Sequence, residues 1–240
     1  MLITTRGIVF RKVKYGESSY ICDIYTEQKG LRSYIVSSVR TRRPKVAPAL
    51  LQLGSLLDMV AYFREDRELF RIKELRQGYV YEQVPFDVVR GTVSLFMVEV
   101  AQRSVKEAEG NESLFRFLWE SFAYLDRTRA PYALLHLHFM LHLSAYIGFM
   151  PSGEYTAATP YFDLKEGQYV MQQPIHSQYL DTELSRLADR LLLTPREQIH
   201  LIDSTRQQRQ QLTDKLVLFY QLHIDNFPAV KTFEVMQSVL

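Results

Sequence analysis

Four cations within six residues, Arg40, Arg42, Arg43 and Lys45, are the side chains of this chain best suited to act on something outside it. Guanidinium and ammonium groups at that spacing hold anions and make no bonds. The competing reading of a single charge run is a solvated surface loop. Its setting favours binding. From Met1 to Val80 there are 15 Lys/Arg against 8 Asp/Glu, a net of +7, whereas the remainder carries 14 against 19, a net of −5. Nucleic acid is therefore the leading partner class for the first third. A second group with chemical potential is His136, His138 and His142. His138 and His142 are four apart and share a helical face, but His136 points nearly opposite to His138, and no neighbouring glutamate completes a metalloprotease pattern. A structural or partner-contact role is expected for all three. The chain has no Gly-rich phosphate loop and no serine nucleophile elbow, so a non-enzymatic protein is expected.

The elements that must carry the cations come from the alternation of apolar and polar residues. Segments of period two recur from Ile8-Val9-Phe10 onwards, broken at Tyr15-Gly16-Glu17 and again at Glu27-Gln28-Lys29-Gly30, where the glycine stands at a hairpin position that favours positive φ. Ser18 to Thr26 is the second strand, Leu31 to Val39 the third, and Leu57 to Arg64 the fourth. Phe70 and Ile72, alternating with Arg71 and Lys73, mark the fifth. Five short strands in about 80 residues predict a small closed barrel, since closure removes exposed edges. Its outward residues include Tyr62, Arg64, Arg71 and Lys73, the composition of an oligonucleotide-binding (OB) fold, in which cations track phosphates and rings stack on bases. With the basic loop, these make a candidate DNA-binding set. Cys22 is the only cysteine. It is expected to be a buried hydrophobe, and neither a disulfide nor a Cys-rich metal cluster can form.

Beyond Pro85 the period becomes helical, which divides the chain into a barrel domain, residues 1–80, and a helical domain, 81–240. Pro85 to Val105 has one broad apolar face, and Asn111 is placed to cap a helix from Leu114 to Leu125. That second helix, with Phe115, Phe117, Leu118, Trp119 and Phe122, is apolar nearly all round and must be covered. Pro131 to Phe149 reads as the central helix of a bundle and, with three histidines, not as a membrane span. Residues 150–178 form an insertion with a small hairpin at Tyr161 to Val170. Thr194-Pro195-Arg196-Glu197 reads as a capping box opening the next helix. The start, Met1 to Gly7, has no charged segment leading into an apolar run, so a cytoplasmic, nucleoid-associated setting is expected.

Several pieces in this order and spacing resemble the RecO family of DNA repair proteins. They are Thr5-Arg6-Gly7-Ile8-Val9, Tyr15-Gly16-Glu17-Ser18-Ser19, Gly30-Leu31, the basic loop followed by Leu50-Leu51-Gln52, and Lys73-Glu74. Leu216 to Tyr220, Phe227, Lys231-Thr232 and Glu234-Val235-Met236 resemble the family's C-terminal end. The resemblance implies a recombination mediator that binds single- and double-stranded DNA and anneals complementary strands. It also implies RecR and the acidic tail of the single-strand binding protein as partners, and help in loading RecA. The tail needs an apolar slot with a cation at its mouth, for which Trp119, Arg116, Arg127 and Arg129 are the candidates. Many RecO-like proteins hold a four-cysteine zinc module where this chain has its insertion. This chain has no cysteine there, so no zinc or other cofactor is expected. The alternative reading is an RNA-binding barrel attached to a helical protein-interaction domain.

Overall fold

The computed structural model describes residues 1–37, 39, 46–64 and 66–239, so Arg40, Arg42, Arg43 and Lys45 lie outside the described residues. The described chain forms two compact units, Met1–Arg127 and Thr128–Leu240. In the first, strands β1 (Leu2–Tyr15), β2 (Ser19–Thr26), β3 (Gly30–Val36), β4 (Leu56–Tyr62) and β5 (Leu69–Gln77) close a barrel in the order β1-β2-β3-β5-β4. The neighbours pair antiparallel except β3 and β5, whose parallel ladder, Ser33 to Leu69 through Ile35 to Arg71, completes the closure. The third strand ends at Val36, short of the expected Val39. Ile3, Val9, Cys22, Ile24, Tyr34 and Met59 fill the interior with Phe63 and Phe70. Burial pushes the Cys22 thiol up to about 11, which leaves it protonated and inert at neutral pH.

The run Gly7-Ile8-Val9-Phe10 is buried without alternation because both of its faces are covered. Val9 points into the barrel. Phe10, in a bulge between Val9 and Arg11, stacks outside it on Tyr25 at 5.7 Å, and Tyr25 lies 6.2 Å from Phe115. Phe115 belongs to α2 (Glu112–Arg127), which with α1 (Val88–Ser104) adds a second core against the barrel wall. Asp87 caps α1 through Val89 and Arg90, and the Asn111 side chain accepts from Leu114 at the start of α2. Asp126, only 1% exposed, ties the linker to α2. Its carboxylate accepts from the backbone N–H groups of Glu82, Gln83 and Val84 and from the Tyr79 hydroxyl, and these bonds hold it below the usual carboxylate range against the opposing effect of burial.

The second unit comprises α3 (Leu135–Tyr146), a sheet in the order β7-β6-β8, and α4 (Thr182–Leu193), α5 (Arg206–His223) and α6 (Phe233–Val239). The sheet is the expected hairpin, β6 (Tyr161–Asp163) and β7 (Gln168–Val170), joined by a further strand, β8 (Tyr179–Leu180). Helix α3 is buried along nearly its whole length, and Tyr220 of α5 donates to its Met140 carbonyl at 2.7 Å. The box foreseen at Thr194 is a correction. Thr194 closes α4 by donating its N–H to Arg190, and residues Arg196–Leu201 form a 3-10 turn without a side-chain cap. The reciprocal box stands instead at Thr205 and Gln208, opening α5. Both sites carry the same Thr-x-x-Glu/Gln signature, and only the second is followed by a stretch long enough for several helical turns.

Candidate nucleic-acid interface

Barrel closure brings together the sequence-distant cations of the first unit. Tyr62 of β4 and Arg71 of β5 are paired directly, so both side chains take the outer face. Tyr62 is 49% exposed. The register then slips between Val60 and Ala61, leaving Lys73 as the extra residue of a bulge. Such a bulge turns the strand and re-aims its side chains, and Lys73 and Glu74 both reach solvent, 3.5 Å apart. Together with Val36, Ser37, Val46, Arg67 and Ile72, these residues line a groove of about 550 Å³. Ser37 and Val46 bracket the basic segment in sequence, and the Val39 N–H donates to the Ser18 carbonyl in the β1–β2 turn. Ser37 and Val46 thus line the same groove as Tyr62, Arg71 and Lys73. Strands 2 and 3 and the loops joining β1 to β2 and β4 to β5 make up the ligand face of OB barrels.

Arg64, expected on the same face, is exposed but engaged by Asp66 at 3.0 Å and does not line the groove. A cation not singled out in the sequence, Arg67 of the β4–β5 loop, also lines the groove. Arg67 sits among acidic neighbours, and local sequence gave no signal for it.

The partner-tail candidates are placed differently. The Trp119 ring is half-buried, 5.6 Å from Phe115 and beneath the Arg6 guanidinium at 5.1 Å, and a side chain at Gly78 would strike it at 2.7 Å. Arg6 is in turn fixed by Glu27, whose carboxyl it holds below the usual range. Arg116 and Arg127 are exposed. Eleven positions apart, they return to one face of α2. Arg129 is exposed in the second unit.

The histidines are packing groups. His136 is 3.0 Å from the Thr213 hydroxyl, and the His138 and His142 rings lie 4.1 Å apart. Burial pushes His136 and His138 down to about 3 and lowers His142 as well, so all three are neutral at pH 7. Among the described residues no three His, Cys, Asp or Glu side chains converge as metal ligands, and the cysteine-free insertion does not fit a thiolate zinc site. Among the described residues, too, no helix is long and apolar enough to cross a membrane.

Comparison with known proteins agrees with this architecture. Residues 1–79 match the family described as Recombination protein O N terminal, and residues 85–231 match Recombination protein O C terminal. The chain is 30% identical over 239 residues to the DNA repair protein RecO of Phocaeicola vulgatus, covering 100% of this chain and 99% of that one. It is 30% identical over 240 residues to the protein of that name from Bacteroides fragilis, and 28% identical over 242 residues to that of Flavobacterium johnsoniae, with the same coverage.

Proposed function

The chain belongs to the recombination protein O family of DNA repair proteins, and from that premise we infer that it is a recombination mediator that binds single- and double-stranded DNA. It anneals complementary strands and, with RecR and the single-strand binding protein, helps to load RecA. The observation that carries this reading is the groove that Tyr62, Arg67, Arg71 and Lys73 line. Annealing needs no bond chemistry. It needs cations that offset the repulsion between two strands and a surface that holds one strand with its bases available to the other. Tyr62 supplies a ring for one base, and the arginines and lysines supply the phosphate contacts. The acidic tail of the single-strand binding protein is assigned to the exposed pair Arg116 and Arg127, because the Trp119 ring is engaged within the protein.

The test is a salt titration of binding to a labelled oligonucleotide. Each phosphate contact steepens the dependence of log affinity on log salt by about 0.7 for a single strand, so replacing Arg40, Arg42, Arg43 and Lys45 by Ala should flatten the slope by up to roughly 3 units. Affinity should fall alike for all sequences, because phosphate contacts carry no base information. Equal slopes for variant and wild type would remove the basic segment from the DNA site. A preference for structured RNA over annealing of DNA would favour the alternative of an RNA-binding module.

A further inference from the structure

Arg67 lines a second cleft besides the groove. This one, of about 460 Å³, opens where Phe63 and Phe70 close the end of the barrel, and Gln28, Lys29, Arg32 and Glu109 complete its wall. Phe63 and Phe70 stack at 4.8 Å, and the Lys29 ammonium stands 4.6 Å from the Phe63 ring centroid. Arg32 pairs in register with Ile24, whose side chain is interior, so the guanidinium stem takes the inward side of β3. Its Nε is buried without a hydrogen-bond partner among the described residues. Neither Lys29, Arg32 nor Arg67 has a carboxylate within ion-pair distance among the described residues, although Glu109 lines the same wall. A buried guanidinium nitrogen without an acceptor is unfavourable, and a phosphate oxygen is the acceptor its planar fork fits best.

We propose that this cleft is a second phosphate subsite, taking the backbone of a single strand that continues from the groove past Arg67. The assignment rests on the groove being the DNA-binding surface. A nucleic-acid strand is favoured over an isolated anion because Arg67 lines both walls, so that the two cationic sites adjoin. Length of ligand is therefore the discriminating variable.

Anisotropy titrations of labelled oligothymidylate, about 4 and about 16 nucleotides long, span the site sizes usual for one barrel of this type. For the longer strand the variant Lys29→Gln/Arg32→Gln should lose two contacts, a slope decrease of about 1.4 and roughly 25-fold in affinity at about 0.1 M salt. The shorter strand, held in the groove, should bind both proteins alike. Unchanged affinity for the longer strand overturns the proposal, as does an equal loss at both lengths. Arg32→Lys keeps the charge and should keep the slope for the longer strand. If it loses as much as Arg32→Gln, the effect is structural and the proposal falls. A polyglutamate peptide of about ten residues whose binding vanishes in the double variant, while the longer oligonucleotide is held unchanged, would give the cleft to an acidic protein segment instead. The groove reading is tested separately by Arg71→Gln/Lys73→Gln, which on that reading weakens both lengths.

Discussion

On the side of the barrel that α2 covers, Arg6 is clamped by Glu27 beside the Trp119 ring, and the α2 carboxylate of Asp126 is enclosed by four donors. On the β4–β5 side, Arg67 and Arg71 face a groove with no carboxylate partner among the described residues. The two sides use the same side-chain chemistry for opposite ends. Where helices cover the barrel, a charge left alone would be a desolvated liability, and pairing fixes the geometry of the contact. Where the barrel is open, a cation without an internal partner keeps its attraction for an external polyanion, and the counterions released on binding drive the association.

The largest expected effect comes from Asp126→Ala. It strands three backbone N–H groups and leaves the Tyr79 hydroxyl only the Ala123 carbonyl at 3.4 Å, and should cost at least about 3 kcal/mol of stability by urea unfolding. DNA affinity measured under conditions where the variant is folded should not change. A stability loss below about 1 kcal/mol would mean that the covered side is not held by its charges.

Acidification should separate the two units by their titrating groups. Folded-state values of Glu27 and Asp126 are depressed, so the stability they contribute is present above roughly pH 4 and is lost as pH falls through the lowered values. The buried histidines of the second unit act earlier. With His136 and His138 at about 3 in the folded state, the unfolded chain binds more protons below its own value near 6.5, so stability declines from there downward, by up to about 1.4 kcal/mol per pH unit for each. Trp119, the single tryptophan, reports on the first unit. The urea midpoint read by its fluorescence should hold to about pH 4, whereas the midpoint read by far-UV ellipticity should begin to fall below roughly 6.5.

The smallest effect is expected at Arg64, whose partner Asp66 is equally exposed. Arg64→Gln should change stability by less than about 0.5 kcal/mol and leave the salt slope within error, since exposed pairs contribute little. A slope decrease near 0.7 would place Arg64 on the DNA path and widen the open side beyond the groove.

Much of the barrel was legible because its strands alternate and its turns carry glycine where φ is positive, as at Gly30. The helices α1 and α2 were legible too, but not that they cover β1. An apolar run such as Ile8-Val9-Phe10 announces burial on two faces but does not say what covers the second, and Asp126 lies far along the chain from the linker it organises. The outward positions of Tyr62, Arg71 and Lys73 were legible because alternate positions of a strand can be counted. The nearness of Lys29, Arg32 and Arg67 was not, because only the β3–β5 ladder brings them together. For Trp119 the sequence left two readings open: an aromatic ring on an apolar helix looks the same whether a partner or the protein's own Arg6 covers it.

That β3–β5 ladder also bears on how the chain folds. Antiparallel neighbours can zip from their turns, but the pairing of Ser33 with Leu69 must bridge the whole intervening segment, including Arg40, Arg42, Arg43 and Lys45, before it returns a single hydrogen bond. Closing that loop carries an entropic cost, and its concentrated like charge adds a repulsive barrier to the search. Salt therefore acts on this protein in two opposed directions. Ions that screen the loop hasten the step that completes the barrel, and the same ions weaken the finished barrel's hold on a phosphate backbone.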